Sequence, residues 1–217
     1  MAYGEYSVME TLAIALWAGV VSYYWELFGY YLLIKWYRDR KTYEISFALF
    51  FLFMAVGRVF FVMYDFYISD IFWWRLGTFF QWLGLTIVAV TLTLFLFEKN
   101  IFKYTFITPP IIISFAILAT PSDSINVLRM YLGFIFAPIY ALLIPGLFFY
   151  LAYRLHGRLQ IATFLQGLGF LVLYMGRVLH ASVVKEILSP AIYLLVAPAI
   201  VILALLFIVM GIQMIPE

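Results

Sequence analysis

From Ala191 to Ile215 the chain is nearly devoid of polar groups, with only Tyr193 and Gln213 interrupting an apolar run long enough to cross a bilayer. A hydrocarbon core about 30 Å thick is spanned by roughly 20 apolar residues in a helix, and runs of this kind recur along the whole sequence. They are continuous rather than alternating. They therefore read as helices, which satisfy their backbone hydrogen bonds within one segment, and not as barrel strands. Composition agrees: of 217 residues, 67% are hydrophobic and 11% charged, with a mean hydropathy of +1.07, whereas soluble domains carry about 25% charged residues. Short connections leave room for seven spans and no soluble domain. The expected fold class is all-α, a polytopic protein of the cell membrane with one seven-helix transmembrane domain over 1–217.

Charge and turn punctuation place the helices near Val8 to Trp36, Tyr43 to Ile68, Ile71 to Phe97, Ile101 to Thr120, Ile125 to Leu155, Ile161 to Leu188 and Ala191 to Ile215. The first, fifth and sixth exceed a minimal span, which predicts tilt or projection beyond the membrane. Pro109 and Pro110 in the fourth, Pro138 and Pro145 in the fifth and Pro198 in the seventh are expected to kink or open their helices. The acidic start MAYGEYSVME runs into an apolar stretch longer than a signal peptide's, so it reads as a retained first span. Lys35, Arg38, Arg40, Lys41, Lys99, Lys103, Arg154 and Arg158 fall on one side, against Arg75, Arg129 and Lys185 on the other. Basic loops stay in the cytoplasm, so the N-terminus is expected outside and the C-terminus inside.

The formal net charge of +2 comes from scattered loop residues, which leaves no electrostatic footprint for nucleic acid. With no cysteine, thiol catalysis, cysteine-ligated metals and disulfides are excluded. Phe, Tyr and Trp make up 21% of the chain, and small residues at helical spacing are few outside Gly167 and Gly169, so bulky packing and interfacial anchoring are expected.

The sequence matches itself at an offset of 119. Leu49, Phe51, Leu52, Gly57, Arg58 and Val59 fall on Leu168, Phe170, Leu171, Gly176, Arg177 and Val178. Apolar coincidences are cheap here, but an intramembrane Gly-Arg-Val is not, because arginine is rare and costly at that depth. The offset also carries the starts of the first and third helices onto those of the fifth and seventh without a gap. The expected plan is a parallel 3+1+3 repeat: about 8–97, a linker helix 101–120, and about 125–215. This layout resembles that of SWEET-type sugar transporters and of opsin-like proteins in helix arrangement, without a family motif. An opsin's retinal-bearing lysine is missing from the seventh helix. So are the paired prolines of SWEET halves, since Pro145 aligns with Glu26.

Polar residues form stripes on three helices. Glu44, Arg58 and Asp65 lie within about 60° of one another on the second. Thr163, Gln166, Tyr174, Arg177 and His180 run along the sixth, and Ser22, Tyr23 and Tyr30 surround Glu26 on the first. The stripes are expected to converge on an outward-opening pocket in which Arg58 and Arg177 hold an anionic small molecule or lipid. Glu26, Asp65, Tyr23, Tyr30, Tyr174, Gln166 and His180 complete it. The competing readings are ion pairs that lock the bundle and a proton or ion relay through Glu26 and Asp65. No catalytic residue, metal site or cofactor is expected. His156 and His180 sit at opposite faces, too far apart to share a haem. Thr78 and Gln81 read as interhelical hydrogen-bond glue, Tyr37 to Arg40 as a topology signal, and Trp73 and Trp74 as an interfacial belt. The apolar seventh helix faces lipid, a protein partner or a second copy. These features point first to a small transporter or ligand-binding protein. A membrane sensor acting through a partner and a structural subunit of a larger complex are the alternatives, and an enzyme is not expected.

Overall fold

A computed structural model describes residues 7–96, 100–121, 124–179 and 189–215. Among them nearly all residues are helical and none lies in a strand. We number the helices α1 (Val8–Asp39), α2 (Thr42–Tyr67), α3 (Ile71–Leu96), α4 (Asn100–Ala119), α5 (Ile125–Arg154), α6 (Arg158–Leu179) and α7 (Ile192–Gln213). Six of these are long and apolar enough to cross a membrane. α4 falls short, its apolar stretch running only over Lys103–Ala119. At about 1.5 Å per residue that stretch does not quite match a 30 Å hydrocarbon core. The expected end of the sixth helix, together with Lys99, Lys185 and His180, lies outside the described residues.

Among the described residues four stretches wind as π-helix: Tyr30–Trp36 in α1, Met63–Tyr67 in α2, Leu132–Phe136 in α5 and Ile192–Val196 in α7. Two of them have a cause in the sequence. Pro138 and Pro198 each follow a π segment by two residues, so the carbonyl four residues before each proline lies within the widened turn. Widening there relieves the clash between the proline ring and that carbonyl. Pro109, Pro110 and Pro145, in contrast, sit inside helix that remains α.

The chain divides into two compact units. One is Val21–Phe136, and the other joins Met1–Val20 to Ala137–Glu217. In the first, α2 packs on α3, α3 on α4, and the π segment of α1 on α2. The α2–α3 contact is close enough to need glycine on both sides: a Cβ on Gly57 would lie 2.9 Å from the Gly77 carbonyl oxygen. Phe50 and Phe51 are fully buried beside it. In the second unit α6 packs against α5 and α7. Phe148 stacks on the buried Phe170 with ring centroids 5.3 Å apart, and a Cβ on Gly211 would reach 2.6 Å from the Ala162 carbonyl. Small residues thus set the helix spacing in both units. They pair across helices instead of recurring along one, which is why spacing along a single helix understated them.

Candidate functional site

The residues expected to form one pocket divide between the two units. Tyr23, Glu26, Tyr30, Arg58 and Asp65 belong to Val21–Phe136, and Gln166, Tyr174 and Arg177 to the other unit. His180 lies outside the described residues.

In Val21–Phe136, Arg58 is 8% exposed and follows Gly57, at which α2 meets α3. Gln81 of α3 is buried at the same contact, its Cγ 3.0 Å from where a Gly57 Cβ would stand. Thr78 is buried too, but its hydroxyl donates to the Trp74 carbonyl of its own helix at 2.8 Å. Thr86, Thr91, Ser114 and Thr163 do the same within their helices. Interhelical glue is therefore not what Thr78 supplies, because a hydroxyl in an apolar helix satisfies itself on the carbonyl four residues back. Asp65 stands in the π segment of α2 and is half-buried.

Glu26 stands apart from the buried polar residues. It is exposed, not at the centre of a polar core, and among the described residues it forms no ion pair. Its charge acts on Tyr23, one turn away on α1. The cause of the departure is helix rotation: Tyr24, Leu27 and Tyr31 are the α1 residues turned inward here, and Glu26 lies on another face. An ion-pair lock through Glu26 is accordingly absent among the described residues.

Two further polar groups are built into the same unit. Arg129 of α5 lies over the Trp74 ring at 4.7 Å and the Tyr64 ring at 5.9 Å, and its guanidinium donates to the Tyr64 hydroxyl at 3.5 Å. The other group is Glu44, in the first turn of α2. It is 2% exposed, with its Oε2 unpaired among the described residues. At the connection between α1 and α2, Arg38 pairs with Asp39 at 2.6 Å. Arg40, in the left-handed region at φ 55°, lies over Trp36 and Tyr37.

In the second unit Tyr174 is buried and its hydroxyl has no hydrogen-bond partner among the described residues. Arg177, one turn further along α6, and Tyr140 of α5 both act on it electrostatically. Gln166 is buried two turns back on α6, with its amide nitrogen likewise unpaired. This half of the expected constellation thus gathers a cation and a stranded phenol, which together can donate to an anion. Among the described residues no group of three His, Cys, Asp or Glu is placed to hold a metal.

Long apolar helices with intramembrane arginines define a multi-pass integral membrane protein. No known family matches the chain, and comparison with curated proteins and with solved structures gives no significant match.

Proposed function

We propose that the protein is a small transporter or ligand-binding protein of the cell membrane, built as a parallel repeat, in which Arg58 in one unit and Arg177 in the other are equivalent positions for binding the anionic group of a small molecule or lipid. The observation that carries this reading is a pattern of burial. At the offset of 119, the buried residues Glu44, Phe47, Ala48, Phe50, Phe51, Met54, Ala55 and Gly57 of α2 fall on Thr163, Gln166, Gly167, Gly169, Phe170, Leu173, Tyr174 and Gly176 of α6, every one of them buried. The next pair is Arg58 with Arg177. In the same way Thr78, Trp82, Leu85, Thr86, Ala89 and Thr93 of α3 fall on the buried Ala197, Val201, Ala204, Leu205, Ile208 and Ile212 of α7. Gly57 meets the side chain of Gln81, and Gly176 meets that of Ile200, which again differs by 119. Identities among apolar residues arise by chance, but two helices sharing both rotation and partner at one offset favour duplication.

α1 and α5 follow the pattern with a slip. Ala13 corresponds to Leu132 at 119, but Val20 and Tyr24 correspond to Tyr140 and Ile144 at 120. The extra residue enters across the π segment Leu132–Phe136, since a π turn accommodates one more residue than an α turn. The gapless register expected for these two helices does not describe their buried faces.

Two helices that keep an arginine at one equivalent position, buried for Arg58 and half-buried for Arg177, support anion binding, because a guanidinium forms its strongest hydrogen bonds with carboxylate or phosphate. Tyr174 adds a donor beside Arg177. The test is ligand retention: native mass spectrometry of the gently purified protein should show a bound anionic lipid or metabolite that is lost from folded Arg58→Gln and Arg177→Gln. The reading fails if both variants keep the same ligand, or if neither they nor the wild type bind one and the variants only unfold more readily.

A further inference from the structure

The first turn of α2 holds a carboxyl group that the proposed anion site does not use. Glu44 is 2% exposed, and its Oε2 accepts no hydrogen bond among the described residues. Its basic neighbours in sequence are otherwise engaged, Arg38 on Asp39 and Arg40 on the rings of Trp36 and Tyr37. From the π segment of α1 comes Tyr31, 1% exposed, whose phenolic oxygen also has no partner among the described residues. The π segment that carries Tyr31 packs on α2, which carries Glu44, and Tyr30, Tyr23, Tyr43 and Glu44 all act on Tyr31 electrostatically. Tyr30 meets the Tyr31 ring edge-on at 5.2 Å, and Phe51 stacks on it at 5.7 Å. Two buried polar oxygens on two packed helices are thus stranded, with the rings of Tyr30 and Phe51 lying against one of them, Tyr31.

Stranding both is unfavourable unless something donates to them. We propose that Glu44 and Tyr31 form a binding site for a protonated amine, with N–H groups donating to Glu44 Oε2 and the Tyr31 oxygen and the aromatic faces stabilising the positive charge. The negative face of an aromatic ring attracts a cation, and a desolvated setting strengthens that attraction. The carboxylate selects against anions. A divalent metal is a poor fit, since it takes six or more oxygen ligands and no second carboxylate joins Glu44 among the described residues. The amine has two sources of the same chemistry, the headgroup of an amine-bearing phospholipid or a free small amine. The position of Glu44 just inside the Arg38–Lys41 connection suits the former, because Lys41, three residues before Glu44, would meet the phosphate of the same headgroup. The site is independent of Arg58 and Arg177.

The test compares the full-length protein in vesicles of phosphatidylglycerol alone, in vesicles that include phosphatidylethanolamine, and in phosphatidylglycerol vesicles with ethylammonium chloride added against an equal concentration of sodium chloride. Thermal unfolding and amide hydrogen exchange over 30–36 are the readouts. Wild type should unfold at a higher temperature and exchange more slowly with amine present. Protection by the lipid alone assigns the headgroup, and protection by both assigns the amine group itself. Tyr31→Phe should lower the affinity about tenfold, and Glu44→Gln about tenfold to a hundredfold. If Glu44→Gln does not fold, Tyr31→Phe, which loses one oxygen, decides. No protection of wild type by either amine, or equal protection of Tyr31→Phe and wild type, overturns the proposal.

Discussion

Gly57 and Gly77 approach so closely that either one's Cβ would press on the other's carbonyl. Backbone cannot move aside as a flexible side chain can. Gly57→Ala should therefore destabilise the protein by about 1–3 kcal/mol, the usual cost of overpacking. Gly146 of α5 has nothing within 4 Å of its missing Cβ, so Gly146→Ala should be neutral or slightly stabilising. Reversible unfolding in mixed micelles would compare the two, and equal effects would show that the α2–α3 seam is not rigid. Arg129 makes a second prediction at this scale. With its guanidinium over Trp74 and near Tyr64, Arg129→Met should cost about 0.5–2 kcal/mol while keeping most of the packing volume. The same substitution should shift the tryptophan fluorescence.

Helices were legible in the sequence because an apolar run of membrane length has few other fates. Their rotation was not. A helix that is apolar on every side carries no stripe from which its inward face can be read, so the sequence favoured Glu26 for its depth while the inward carboxyl is Glu44. Arg58 and Tyr174 were legible as buried polar groups because each belongs to a polar stripe on an otherwise apolar helix. Tyr31 was not, since one tyrosine among seventeen says little until its hydroxyl is seen to lack a partner. The π segments left a trace only where proline forces them. Pro138→Ala should let Leu132–Phe136 relax to α-helix, turning the remainder of α5 by about 100° relative to its start or straining its contacts with α6. Hydrogen exchange over 132–144 would report the change, and an unaltered pattern would mean that packing, not the proline, holds the wide turn.

Orientation belongs to the whole molecule. The chain contains no cysteine, so single cysteines report sidedness without background. Lys41→Cys should react with an impermeant maleimide only from the cytoplasmic side and Ser124→Cys only from outside, and the reverse labelling would invert the topology read from the basic loops. The division into units also bears on how the protein is made. Val21–Phe136 is continuous, whereas its companion gathers Met1–Val20 with everything after Ala137. On the ribosome, the first unit has all its helices once α5 has begun to emerge. The other must keep its earliest segment waiting in the bilayer, incompletely packed, until α7 is released. Arrested chains ending shortly after Phe136 should already protect α2 to α4 from proteolysis, whereas the opening turns of α1 should gain protection only after synthesis is complete. A cell would need to shield that first half-helix, and not the finished protein, from its quality-control proteases.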